Sequence, residues 1–149
     1  MNMAKKTRAV TPRWLGIALQ ALIYLERNGE LCASGEIAGR IHCEVTLVRR
    51  VLTRLVQAGL IAAREGRDGG YYLTRPGTEI TLADIYQAVG MDASICPGIL
   101  QTNTEESPFS TEVNHLVSDV LEESERVMME LWSSYTLSSL SERVYKQLK

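Results

Sequence analysis

Apolar residues recur every three or four positions between residues 44 and 57, where Val48, Val51, Leu52, Leu55 and Val56 define one helical face. Thr46, Arg49, Arg50, Thr53 and Arg54 fall off that face, and Thr46, Arg50 and Arg54 form a stripe at four-residue spacing. Ala58-Gly59 predicts the helix end, since glycine readily takes the left-handed conformation just past a C-terminus. The pattern then changes. Residues 60–64 and 70–74 read as two short strands separated by Glu-Gly-Arg-Asp-Gly, with Arg67 at the tip. A helix edged with arginine, followed directly by such a hairpin, predicts a winged helix and, with it, DNA binding.

The flanking pattern fits that reading. Residues 11–27 predict a first helix, capped by Thr11 with Pro12 at its first position. Its core face is Trp14, Leu15, Ile17, Ala18, Ala21, Leu22 and Leu25, and Asn28-Gly29 ends it. Residues 31–33 are short enough for a single β-bridge. Ser34 is then expected to cap a second helix that turns Ile37, Ala38 and Ile41 inward, and His42-Cys43-Glu44 is the turn before the arginine-edged helix. After the hairpin, Thr81-Leu-Ala-Asp84 has the form of a capping box, opening a helix to about Val89.

Residues 90–107 carry Gly, Pro, Ser, Thr and Asn and predict a loop or linker. A long helix follows, opened by Ser107-Pro108 or Thr111 and ending near Ser133. Val113, Val120 and Val127 step by seven, as do Val117 and Leu131 around Ser124. The N-terminal module is too small to cover so long an apolar face. Val113, Leu116, Val117, Val120, Val127 and Leu131 are therefore expected to bury against a second copy. Thr136 caps a last helix through Leu148. The expected architecture is mainly α with a small β-wing: a winged helix-turn-helix over 1–90, a sensor loop or linker over 91–107, and dimerisation and C-terminal helices over 108–149.

Composition adds two constraints. At 149 residues, with 45% hydrophobic and 23% charged positions, the chain suits one globular domain with an appended element. No apolar run approaches the roughly 18 to 20 residues of a membrane span. The basic N-terminus lacks a following apolar signal core, which favours the cytoplasm and no membrane partner. The net charge of -2 conceals a division. Residues 1–76 hold twelve Lys/Arg against six Asp/Glu, a net +6, whereas residues 77–149 hold four against twelve, a net -8. The basic half coincides with the helix and wing, as a polyanion partner requires.

GGYYLTRPGTEITLADIYQAV resembles the most recognisable segment of the Rrf2 family of bacterial winged helix-turn-helix regulators. In that family a Gly-Gly-tyrosine wing strand leads into an Ile-Thr-Leu-x-Asp-Ile helix start. SGEIAGRI, VLTRLVQAGLI and the long C-terminal helix fall where the family places its helix-turn-helix, recognition helix and dimerisation helix. The resemblance implies a homodimer on a roughly palindromic double-stranded operator, usually as a repressor. Many members hold an iron–sulfur cluster on three closely spaced cysteines before the dimer helix. Here that loop offers Cys96 alone, far from the four ligands a cluster commonly needs, so no cofactor is expected. Cys96-Pro-Gly and Val48-Arg49-Arg50 are similar to cluster-free members, some of which use thiols as redox switches.

Within this frame each candidate residue has a chemical role. Arg49, Arg50 and Arg54 suit phosphate or guanine, because the planar guanidinium makes bidentate bonds. Thr46 and Ser34 can reach a base edge or phosphate. Arg67 suits a minor groove or flanking phosphate, and Lys5, Lys6 and Arg8 add salt-sensitive attraction. Cys43 is expected to be structural. Cys32, just before the second helix, is expected to have its pKa lowered by helix-end amides, and Cys96 to lie exposed. The two form the candidate redox pair. Control by a small-molecule effector near residues 90–107 is the alternative, as is a winged-helix protein-interaction module that does not bind DNA. No catalytic arrangement of Ser/His/Asp, HExxH or phosphate-loop type is present, so no enzyme is expected.

Overall fold

The structure, a computed structural model, describes residues 13–90 and 107–149. Helix α1 (Arg13–Asn28) turns Ile17, Ala18, Ala21, Leu22 and Leu25 into the core, so the apolar spacing read from the sequence is the buried face. The expected cap at Thr11 and Pro12 lies outside the described residues. Helix α2 (Ser34–Ile41) contributes Ile37 and Ala38, and α3 (Val45–Gln57) contributes Val48, Val51, Leu52 and Leu55. Each such valine, leucine or isoleucine side chain, fully covered, is worth roughly 1.5–3 kcal/mol against its exposed state.

One cap differs from expectation. The N-cap of α2 is Ala33, in extended conformation and with no side-chain cap, and Ser34 is already helical. The Ser34 hydroxyl accepts a hydrogen bond from α3 instead. Between α2 and α3 the chain turns at His42, which adopts the left-handed conformation (φ 52°). That conformation costs a non-glycine residue roughly 1–2 kcal/mol, and the Cys43 N–H donating to Ala38 O at 3.0 Å helps to hold it. Gly59 (φ 77°) closes α3, with Leu60 N–H donating to Leu55 O.

Strands β1 (Ile61–Arg64) and β2 (Gly70–Leu73) pair antiparallel, Ile61 opposite Leu73 and Arg64 opposite Gly70. Ile61, Tyr71 and Leu73 pack on the core, while Tyr72 faces solvent. Cys32 forms a bridge to Tyr71, adding a third extended segment to the sheet. A Cβ at Gly70 would lie 2.5 Å from Cys32 O, so only glycine permits this approach.

After a short 3-10 turn (Gly77–Glu79), α4 (Leu82–Ala88) opens with a complete capping box: Asp84 N–H donates to Thr81 Oγ1, and Thr81 N–H donates to Asp84 Oδ2. Helix α5 (Pro108–Trp132) spans 25 residues, capped by Ser107 with Pro108 at its start. No residue of α5 is buried. Its lower end meets α4, where the Tyr86 and Trp132 rings stand edge-on, centroids 5.3 Å apart.

The chain then returns to the N-terminal body. Leu82 N–H donates to Tyr135 O, and Leu137 N–H donates to Ile80 O, across a Thr81–Thr136 bridge. Helix α6 (Leu137–Gln147) buries Leu137 in the common core. Its Ser138 hydroxyl donates to Glu26 of α1, and the Arg27 guanidinium lies 4.8 Å from the Tyr145 ring centre. The C-terminal helix is thus packed with residues 13–90, whereas α5, beyond the Trp132 contact at its C-terminal end, leaves most of its apolar side chains open.

Candidate nucleic-acid interface

Helix α3 is amphipathic: with four residues sunk in the core, its opposite side is free. Thr46, Arg50, Thr53 and Gln57, at spacings of four, three and four, are all exposed and share the outward stripe. Arg49 and Arg54 flank it, also exposed. Thr53 donates its hydroxyl to Arg49 O at 2.8 Å, so that side chain lies back against its own helix. Arg67 sits in the exposed turn between the strands.

The ion pairs among the described residues are Arg75–Asp84 and Arg126–Glu130. None of Arg49, Arg50, Arg54, Arg64 and Arg67 forms an ion pair with a described carboxylate. Helix α3 itself carries no Asp or Glu, so its exposed face is positive, whereas Glu65 and Asp68 stand beside the wing arginines. Ser34 and Arg49 are brought into contact, Arg49 Nε donating to Ser34 Oγ at 3.1 Å. Lys5, Lys6, Arg8 and Cys96 lie outside the described residues.

Two exposed positions were not singled out in the sequence. Gln57 continues the Thr46–Arg50–Thr53 stripe, and extending the three-and-four spacing by one step finds it. Arg64 ends β1 opposite Gly70, where no partner side chain covers it. Its signal, an arginine facing glycine, exists only once the strand register is known.

The cysteines require a correction. Helix-end amides do not lower the Cys32 pKa; burial pushes it up from 9.0, although a hydrogen bond from Asn28 opposes this. The thiol points inward and is fully covered, with Asn28 Nδ2 donating to it at 3.0 Å and the thiol itself donating to Glu30 O at 3.5 Å. Cys43 is half-buried against the core in the helix-turn-helix turn.

A recognition-type helix with a free arginine face, supported by a second helix and followed by a two-stranded wing, defines a winged helix-turn-helix regulator. The family model for Rrf2, the iron-dependent transcriptional regulators, matches residues 13–143, and the chain belongs to that family. It is 31% identical over 126 residues to YwgB of Bacillus subtilis (strain 168), provisionally named an HTH-type transcriptional regulator, covering 78% of this chain and 81% of that protein. The HTH-type transcriptional regulator IscR of Cereibacter sphaeroides is 32% identical over 78 residues, covering 52% of this chain and 50% of IscR. Among solved structures, IscR of T. potens overlaps with a TM-score of 0.64 at 19% identity, over 90% of this chain and 87% of that one. The global cysteine regulator CymR of B. subtilis overlaps with a TM-score of 0.60 at 20% identity, over 89% and 96%. The relatives and the family are transcriptional regulators, not enzymes.

Among the described residues, the donors do not form a site for the iron in the family's description. The Cys32 sulfur is committed inside the core and Cys43 is held in the turn between two helices. Among the described residues, no three His, Cys, Asp or Glu side chains gather as a metal site would require. Likewise, no helix among the described residues is long and apolar enough to cross a membrane.

Proposed function

We propose that this regulator is a cytoplasmic homodimeric repressor that reads a palindromic operator through α3 and the wing. The observation that carries the reading is the exposed arginine face of α3, which makes no ion pair with a described carboxylate, with Arg67 exposed on the wing that follows. Arg50, on the outward stripe, is assigned to a base edge or phosphate within the groove, together with Thr46. Arg54 and Arg67 take flanking phosphate or the minor groove, and Lys5, Lys6 and Arg8 add charge attraction. Dimerisation is assigned to the exposed apolar ridge of α5. Val113, Leu116, Val120, Val127 and Leu131 are each 41% to 64% open in the single chain. Such a ridge has no favourable place in water. A mobility-shift titration of Arg50→Ala tests the assignment: weakened operator binding is expected, and unchanged affinity removes Arg50 from the interface.

Modulation by cysteine oxidation takes a narrower form in this proposal. A disulfide between Cys32 and Cys96 would give two electrons and two protons to a peroxide, which leaves as two waters. The buried Cys32 thiol, hydrogen-bonded to Asn28 of α1, enters that reaction only after the core around it opens. Because the Cys32 backbone is bridged to Tyr71 of β2, that opening disturbs the wing, and the oxidised protein is expected to lose the Arg67 contribution. Equal DNA affinity of the reduced and disulfide-bonded forms would refute this. The second reading, control by a small-molecule effector near residues 90–107, falls almost wholly outside the described residues. A reading head that responds to a metabolite but not to peroxide would select that reading.

A further inference from the structure

We propose that Ser34 is a positioning residue that sets Arg49 as an end-on clamp for a DNA backbone phosphate. The inference deepens the DNA-binding reading and rests on it. Arg49 has one side-chain hydrogen bond, from its Nε to Ser34 Oγ at 3.1 Å. Both residues lie at the α2–α3 junction, fifteen positions apart in sequence. The helix start does not use this hydroxyl: Ala33 is the N-cap, and Ser34 makes no capping bond.

The chemistry of the guanidinium makes the contact consequential. Arginine presents five N–H donors in a rigid fork. With Nε committed to Ser34, its side-on bidentate mode is occupied, and the two terminal nitrogens remain as an end-on pair. A long, otherwise mobile side chain is also fixed at its inner end, so less conformational freedom is lost on binding.

Position on the helix selects the target. The outward stripe is Thr46, Arg50, Thr53 and Gln57, which would face base edges if α3 enters a major groove. Arg49 lies off that stripe, on the edge turned toward α2. An end-on arginine on the flank of a groove-lying helix meets the sugar–phosphate wall, where a phosphate offers two oxygens to the fork. Arg49 then contributes register and affinity without reading sequence, and Ser34 contributes through Arg49 alone.

The test is a double-mutant cycle on the full chain, using Ser34→Ala, Arg49→Ala and the double variant, with Ser34→Thr as rescue. Binding is titrated on the selected operator and on a random duplex across a salt series. Ser34→Ala is expected to lower affinity for both duplexes by the same factor of about 3 to 10, the size of one hydrogen bond. Arg49→Ala should reduce the slope of log affinity on log salt by about one. Adding Ser34→Ala to Arg49→Ala should change little, and Ser34→Thr should restore wild-type binding. Independent effects of the two substitutions overturn the coupling, and a loss confined to one base pair of the operator overturns the phosphate assignment. A wild-type chain that binds neither duplex overturns the DNA-binding reading itself, an outcome distinct from the other two.

Discussion

Cys32 and Tyr71 exchange two backbone hydrogen bonds, Cys32 N–H to Tyr71 O at 3.0 Å and Tyr71 N–H to Cys32 O at 2.8 Å. The pair fastens the wing strand to the entrance of α2, while the thiol itself is sealed in the core with Asn28 of α1 hydrogen-bonded to its sulfur. In the reduced, folded protein Cys32 is therefore expected to resist alkylation and peroxide until the core around it opens. Timed alkylation followed by peptide mass analysis checks this. Modification of Cys32 as fast in buffer as in denaturant would contradict the buried placement.

The same burial gives a pH dependence. The folded Cys32 thiol holds its proton above the ordinary 9.0, so the folded state binds more protons than the unfolded state at alkaline pH. Tyr24 acts in the same sense, pushed up to about 12 from 10.0, chiefly because its hydroxyl donates to Glu36 Oε1 at 2.6 Å. Both contributions are fully present at neutral pH. Stability should fall as pH rises through 9, and the Tyr24 share should disappear between 10 and 12. Urea midpoints that stay level from pH 8 to 11 would contradict the account.

Asp84 serves two partners, closing the capping box with Thr81 and lying 3.6 Å from Arg75. The two roles differ in weight. Caps of this kind are worth about 1 kcal/mol, whereas a half-exposed ion pair is worth roughly 0–1 kcal/mol. Asp84→Ala should therefore destabilise clearly more than Arg75→Ala in chemical denaturation. Equal losses would mean that the ion pair, not the cap, holds the start of α4.

Leu116 is 64% exposed on α5, in line with the similarly open Val113 and Val120. Placing a charge there should abolish association while leaving the winged body folded, since α5 contributes no buried residue to it. Leu116→Asp is expected to sediment as a monomer with unchanged helical circular dichroism signal per residue. A wild-type chain that is monomeric at micromolar concentration would refute the dimer assignment.

Most of the fold was legible in the sequence because local chemistry decides it. The three-and-four spacing of α3, Gly59 past its end, the Thr81–Asp84 box and the Ser107-Pro108 start each act within a few residues. Long-range facts were not legible. Ser34 reads as a cap by residue type, yet its hydroxyl meets an arginine fifteen residues on. Cys32 precedes a helix, which suggests an activated thiol, but the folded core covers it, with Asn28 of α1 hydrogen-bonded to its sulfur. The packing of α6 on α1 likewise depends on Ser138 reaching Glu26. At the candidate interface the arginines were visible as a pattern, while the open position of Arg64 emerged only from the β1–β2 register.

The central claim, that α3 and the wing of a dimer read a two-fold operator, is tested most directly by selecting bound fragments from a random duplex pool with the purified chain. The account predicts an enriched inverted repeat whose half-sites lie about one helical turn, roughly 10 base pairs, apart, with affinity that falls steeply as salt rises. Enrichment of a single unrepeated site, or no enrichment at any salt concentration, would contradict it.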